Sequence, residues 1–186
     1  MIMSSPLRIK IVIAIVITFS FFISCGSVDY DKSVNDLVRE ANSLIEQEAD
    51  IGKEFRNVFV SVFTVENRNK FPSSRETLRP HAENQLRLLQ KQKSLLSTAI
   101  EKFEQASRIS TNDKEKRFTS LMADSLRKDI EIANYFVETM NLVLDEKVTD
   151  AKMLKNKFVQ SGQNAELKMK ERDALQSEAK RIIGKE

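Results

Sequence analysis

The chain has 186 residues, with 30 Lys plus Arg against 27 Asp plus Glu, one cysteine, one histidine and no tryptophan. A single cysteine excludes an internal disulfide, so the fold must be held by packing alone. Only four glycines and three prolines accompany 31% charged residues. This composition is typical of long helices.

The N-terminal segment has the layout of a secretory signal. Arg8 and Lys10 precede an apolar run at 11–23, and Ser24 then stands directly before Cys25. A short positive start, an apolar centre and a small-residue processing site are the parts of such a signal. A transmembrane helix needs about 20 apolar residues, whereas this run has 13. An uncleaved N-terminal membrane anchor is the alternative interpretation.

Phe22, Ile23, Ser24 and Cys25 (FISC) resemble the lipobox of a bacterial lipoprotein signal. The resemblance is limited to the signal and implies that Cys25 is lipidated, as by palmitate, and becomes the mature N-terminus. It divides the chain into a signal peptide at 1–24, the lipidated cysteine with a short tether at 25–33, and a helical domain at 34–186. In lipoproteins of this kind, Asp directly after the cysteine favours retention in the inner membrane. Gly26 stands at this position instead. For a Gram-negative source this implies an outer-membrane lipoprotein facing the periplasm or the cell surface.

Removal of the signal lowers the net positive charge of the chain, because Arg8 and Lys10 leave with it. The remainder holds 28 Lys plus Arg against 27 Asp plus Glu. No basic block interleaved with aromatic residues follows, so we expect no nucleic-acid partner.

The first helix is predicted over 29–65. Apolar residues recur at alternating steps of three and four from Val34 to Val65, with Glu48 as the one polar exception. This heptad pattern is typical of a helix that packs along one seam. The segment 59–65 is rich in β-branched and aromatic residues and could form a strand, but the helical seam continues through it.

The second helix follows a break at 67–74. Pro72 disfavours helix at the residue before it, and Ser73 with Glu76 matches a capping box. Because Pro80 comes early, we expect regular helix to begin only near Leu78 or Arg79. Lys93 is the polar residue in this helix's seam, and the pattern fades at 107–113.

The third helix begins at Asn112 with Glu115 as its start signal, and Asp129 interrupts its seam. We place a turn at 145–150, with Thr149 as a possible cap. A continuous helix to residue 161 is the alternative. In the last segment, Gly162 could kink or end the helix.

The fold class is therefore all-α, an antiparallel up-down bundle of about four long helices. Elongated coiled-coil hairpins are the alternative. The polar residues Glu48, Lys93 and Asp129 have two interpretations. They either fix the helix register inside the bundle or, as we prefer, lie at seam edges and extend to solvent.

Chemical motifs are sparse. His81 is the only histidine, and no metal-ligand, nucleophile–base or phosphate-binding pattern accompanies it. We expect no catalytic residue, no metal site and no cofactor. Phe55, Phe59 and Phe63 recur every four residues. We interpret them as core, with an exposed partner or ligand surface as the functional alternative.

The function expected from these features is that of a lipid-anchored cell-envelope protein, non-catalytic, that binds or scaffolds. Its partners would be the membrane, through the lipid anchor, and another protein or a second copy. One alternative is a carrier of lipids or hydrophobic ligands with a cleft between helices near Phe55. Another is an accessory subunit of an envelope complex.

Overall fold

The computed structural model describes residues 32–184, and every regular element in this part of the chain is a helix. Four long helices and one short one follow in order: α1 (Lys32–Val62), α2 (Val65–Asn69), α3 (Arg75–Ile109), α4 (Asp113–Leu144) and α5 (Ala151–Ile182). The predicted signal peptide, Cys25 and nearly all of the tether lie outside the described residues. Within residues 32–184, no helix is long and apolar enough to cross a membrane.

The link between α1 and α3 differs from its prediction at two points. The segment 59–65 is not a strand, but the helix ends at Val62 and the short α2 follows. Thr64 caps α2 because its hydroxyl accepts a hydrogen bond from the Asn67 amide at 3.2 Å.

The predicted capping box is wrong. The Ser73 hydroxyl donates to the Lys70 carbonyl, and Ser74 stands at the N-cap position of α3 without a side-chain cap. The helix nevertheless begins at Arg75 and includes Pro80. Proline this close to the start removes a single intrahelical hydrogen bond.

The other two turns lie where the sequence places them. Asn112 caps α4 through the Lys114 amide at 2.9 Å. The loop at 145–150 is not helical, so the continuous helix is wrong. Its cap is Asp150, which accepts from the Lys152 amide at 2.7 Å, and not Thr149. Gly162 neither ends nor interrupts α5.

The helices form the predicted all-α bundle. Backbones pack closely between α1 and α3, α3 and α4, and α4 and α5, so the chain does not fold as separate elongated hairpins. Because consecutive long helices run antiparallel, α1 begins and α5 ends at one end of the bundle. We call this the proximal end (residues 32–36, 108–116 and 180–184). The opposite, distal end comprises residues 63–76 and 145–152.

The buried apolar side chains form two clusters, one towards each end. The proximal cluster includes Val34, Phe103, Phe118 and Ala179. The distal cluster includes Phe55, Leu78, Phe136 and Phe158. All four long helices contribute to both clusters, and the interruption between them is polar.

Candidate functional site

A layer of buried polar side chains separates the two apolar clusters. It consists of Glu48 on α1, Gln92 on α3, Asp129 on α4 and Arg172 on α5, and we call it the polar layer. Their exposed fractions are 0%, 9%, 4% and 3%. Polar groups this deeply buried are costly unless they are paired. Each of the four helices therefore contributes one polar residue to the middle of the bundle.

Heptad spacing explains how these four residues come to the same level. Each stands seven residues from a buried core residue on either side of it in its helix. The flanking pairs are Ala41 and Phe55, Gln85 and Ala99, Met122 and Phe136, and Ala165 and Ala179, all buried, with Gln85 the one polar member. A seven-residue step returns to nearly the same face of a helix. The antiparallel register then aligns the four interruptions.

Two side-chain pairs hold the layer together. The Gln92 amide Nε2 donates to Glu48 Oε1 and so joins α3 to α1. The Arg172 guanidinium Nη1 donates to Asp129 Oδ1 at 3.1 Å and joins α5 to α4. Arg172 also donates to the exposed carboxylate of Asp173, from Nε at 2.9 Å and from Nη2 at 2.8 Å. The second oxygen of Glu48, Oε2, has no hydrogen-bond partner within the described protein.

Gly52 provides the space for the first pair. A Cβ atom at position 52 would lie 3.3 Å from Gln92 Nε2 and 3.7 Å from Glu48 Oε1. The first of these distances is tighter than ordinary van der Waals contact, so a larger residue would push against the amide. A glycine inside a helix costs about 1 kcal/mol relative to alanine. Here it allows α1 and α3 to approach with the Glu48–Gln92 bond between them.

Burial raises the pKa of both carboxyls in the layer. For Glu48 the pKa rises to about 8, mainly through desolvation and further through the charge of Asp129, against the opposing effects of Gln92 and Arg172. Desolvation also raises the pKa of Asp129 to about 7, although the Arg172 charge opposes it. Burial lowers the pKa of Arg172, but the Asp129 and Asp173 carboxylates raise it more. The chemistry open to this layer is thus uptake and release of protons near neutral pH.

A second network lies outside the Asp129–Arg172 pair, on the surface between α4 and α5. Lys128 contacts Glu131 at 3.1 Å and Glu171 at 3.0 Å, and Lys168 contacts the same two carboxylates at 3.0 Å each. These hydrogen bonds raise the pKa of Lys168. The α4–α5 seam is therefore held by charged groups both inside and outside the bundle at this level.

The preferred sequence interpretation of the polar residues is wrong for Glu48 and Asp129, because both are buried and neither extends to solvent. Lys93 is partly exposed, and its neighbour Gln92 takes the buried position. The sequence prediction also missed Arg172. The signal was the heptad Phe158, Ala165, Arg172, Ala179, in which the arginine replaces an apolar core residue.

Phe55 and Phe59 of α1, together with Phe63 just after the end of α1, pack against each other and against α4 and α5. Phe55 and Phe63 are 4% and 3% exposed, and Phe59 is partly buried against the same distal cluster. Phe59 stacks on both neighbours, with ring centroids 5.5 and 5.6 Å apart. It also lies 5.4 Å from the Phe136 ring and 5.7 Å from the Phe158 ring. The rings therefore fill the distal interior.

His81, singled out from the sequence, is a partly buried residue of α3 near the distal end. Within residues 32–184, no group of three or more His, Cys, Asp or Glu side chains is arranged to hold a metal ion. In comparisons with known proteins, the chain matches no protein-family model, no curated protein and no solved structure.

Proposed function

We propose that the protein is a lipid-anchored, non-catalytic module of the cell envelope whose helical bundle binds or scaffolds a protein partner. The observation that carries this proposal is Cys25, which directly follows an apolar run and a small residue in the manner of a lipoprotein signal. Lipid chains on Cys25 would hold the protein to a membrane leaflet. Each buried methylene contributes about 0.8 kcal/mol, and more than one chain makes the attachment durable.

The short tether between Cys25 and α1 limits how far the bundle can lie from the membrane. Six residues separate Cys25 from Lys32, where α1 begins at the proximal end. Seven chain steps reach at most about 25 Å, so the proximal end stays close to the membrane. The 31 residues of α1 extend about 45 Å at 1.5 Å per residue. The distal end can then extend up to that distance farther from the lipid surface, where a partner can reach it.

The packed interior supports a binding surface over a ligand cleft. A carrier would need space near Phe55, Phe59 and Phe63, and these rings contact one another, Phe136 and Phe158 at 5.4–5.9 Å between centroids. The polar layer joins α1 to α3 and α4 to α5 in the middle of the bundle. Binding through the outer helix faces requires neither group to move.

The anchoring part is tested with full-length Cys25→Ala and a matched Ser24→Ala variant, which keeps a small residue at the processing site. Cells expressing each variant are supplied with labelled palmitate, and the N-terminus of the product is determined by mass spectrometry. We expect wild type and Ser24→Ala to begin at Cys25 and to carry the label. Cys25→Ala should carry none and retain residues 1–24. An unlabelled, unprocessed wild-type protein would exclude lipid anchoring.

The binding part is tested with photo-crosslinkers at exposed sites on native, membrane-held protein. Thr149 at the distal end and Leu167 on the outer face of α5 are exposed and offer two such sites. We expect a discrete crosslinked product, either with another protein or with a second copy, from one site more than from the other. Absence of any discrete product from both sites would contradict a scaffolding role.

A further inference from the structure

The two ends of the bundle differ in charge. The proximal end carries six Lys and Arg against three Asp and Glu, whereas the distal end carries five of each. The rest of the chain after Cys25, without the proximal end, holds 22 positive against 24 negative side chains. The positive charge of the mature chain is therefore concentrated where α1 begins.

Four of the six cations of the proximal end lie on the surface. Arg108, Lys114, Lys116 and Arg181 are all exposed. One of the opposing acids, Glu115, is 4% exposed, because its carboxylate accepts a hydrogen bond from the Ser110 hydroxyl at 2.5 Å inside the turn. The surface charge of this end is thus more positive than the composition alone indicates.

Two further features accompany these charges. Ile109, the last residue of α3 and the neighbour of Arg108 in the chain, is 48% exposed. A shallow depression of about 350 Å³ lies between the α3–α4 turn and the end of α5, and both Lys114 and Arg181 line it. Cations beside an exposed apolar side chain are the combination that binds to the headgroup region of an anionic bilayer.

We propose that the proximal end is a membrane-docking surface that binds anionic phospholipid headgroups of the leaflet holding the Cys25 lipids. Lys114, Lys116 and Arg181 contact the phosphates, and Ile109 lies at the interface. The inference rests on the proposed lipid anchor, and it adds an orientation to it. A tether of up to about 25 Å by itself permits the bundle to lie flat. Electrostatic docking of one end holds the bundle upright.

The test uses the mature lipidated protein in vesicles of phosphatidylcholine alone or mixed with phosphatidylglycerol. A fluorophore is attached through Thr111→Cys at the proximal end or through Thr149→Cys at the distal end, since both threonines are exposed. Energy transfer to an acceptor on the lipid headgroups reports the distance to the bilayer. With phosphatidylglycerol, we expect high transfer from position 111 and low transfer from position 149. Concentrated salt should lower the transfer from position 111 to its value in phosphatidylcholine alone, because surface charges are screened.

Charge is tested with the pair Lys114→Gln and Lys116→Gln. Both lysines lie near the N-terminus of α4, where the helix dipole disfavours positive charge, so their removal does not weaken the helix. Each removed charge should lower the ratio of docked to undocked protein about fivefold. The matched control is Lys152→Gln with Lys155→Gln, two exposed lysines near the N-terminus of α5 at the distal end. The control should dock as wild type does.

Equal transfer from position 111 in neutral and anionic vesicles, or an equal effect of the two lysine pairs, would overturn the docking surface. The mass of the purified protein first establishes whether Cys25 carries lipid. A lipidated protein that fails to respond to phosphatidylglycerol therefore refutes docking alone, whereas an unlipidated protein refutes the proposed anchor.

Discussion

The residues of the polar layer occupy positions where apolar side chains would pack with less cost. Glu48 has one oxygen bonded to Gln92 and the other without a protein partner. Burying a carboxylate this way is expensive, and the group responds by retaining its proton. Asp129 has the Arg172 guanidinium beside it at 3.1 Å. Glu48 is bonded to a neutral amide, whereas Asp129 is paired with a positive charge, so we expect the two acids to affect stability differently.

The free energy of unfolding should fall as the pH rises through neutrality. Glu48 retains its proton in the folded protein up to about pH 8, whereas the unfolded chain releases it near 4.5. Its contribution is fully present below pH 4.5 and is lost as the pH approaches 8. The shift of Asp129 acts in the same direction.

Glu48→Gln removes this titration while keeping the shape of the side chain. Between pH 5 and pH 9 we expect the variant to gain on the order of 3 kcal/mol relative to wild type. The measurement is denaturant unfolding across this range. Glu46→Gln, at an exposed position of the same helix, is the control and should follow wild type. Parallel curves for wild type and Glu48→Gln would contradict the burial of a protonated carboxyl.

Removal of Arg172 tests the other pair. Arg172→Met leaves the Asp129 carboxylate buried without its guanidinium, which should cost about 3–5 kcal/mol in the free energy of unfolding at pH 8. The loss should be smaller at pH 5, where Asp129 can take up a proton. Arg117→Met breaks the exposed pair with Glu178 and should cost less than about 1 kcal/mol. Similar losses for both variants at both pH values would refute the distinction.

At the scale of helices, the sequence predicted the position of the turns but not, in every case, the residue that caps the following helix. The turn at 145–150 contains both Thr149 and Asp150, and either side chain is a good N-cap by type. Only Asp150 bonds a first-turn amide of α5. Likewise, Ser74 and not Ser73 precedes α3. Which of two adjacent residues becomes the N-cap depends on the residue at which the helix begins.

Asp150→Ala should therefore lower the free energy of unfolding by about 1 kcal/mol. Thr149→Ala, one residue earlier and exposed, should change it by less than about 0.5 kcal/mol. Thermal or denaturant unfolding of the two variants gives the comparison directly. A larger effect of Thr149→Ala would mean that α5 begins one residue earlier than the structure places it.

At the scale of the whole molecule, aromatic rings connect the last helix, α5, to the distal part of α1 and the residues that follow it. Phe158 of α5 contacts Phe59 of α1 and Phe63, just after the end of α1, at 5.7 and 5.9 Å between ring centroids. Arg68 of α2 lies over the same Phe158 ring at 4.9 Å. Phe158 therefore closes the distal half of the bundle.

Phe158→Ala should cost about 3–5 kcal/mol and should open the molecule locally. Amide hydrogen exchange is expected to become faster at the end of α1 and in α2 than in α3. Phe103→Ala removes a buried ring from the proximal cluster at a comparable cost and provides the control. Exchange that accelerates equally in both variants would show that the bundle opens as one unit.

The long helices, two of the three connections and the up-down order could be predicted from the sequence. These depend on heptad spacing and on cap residues, which act between neighbours in the chain. The folded bundle was needed to show that Glu48 and Asp129 are buried, that Gln92 and not Lys93 lies beside Glu48, and that Arg172 completes the layer. The reason is physical, because the burial of a side chain depends on the helices packed around it. Their register and separation are set by side chains distant in sequence.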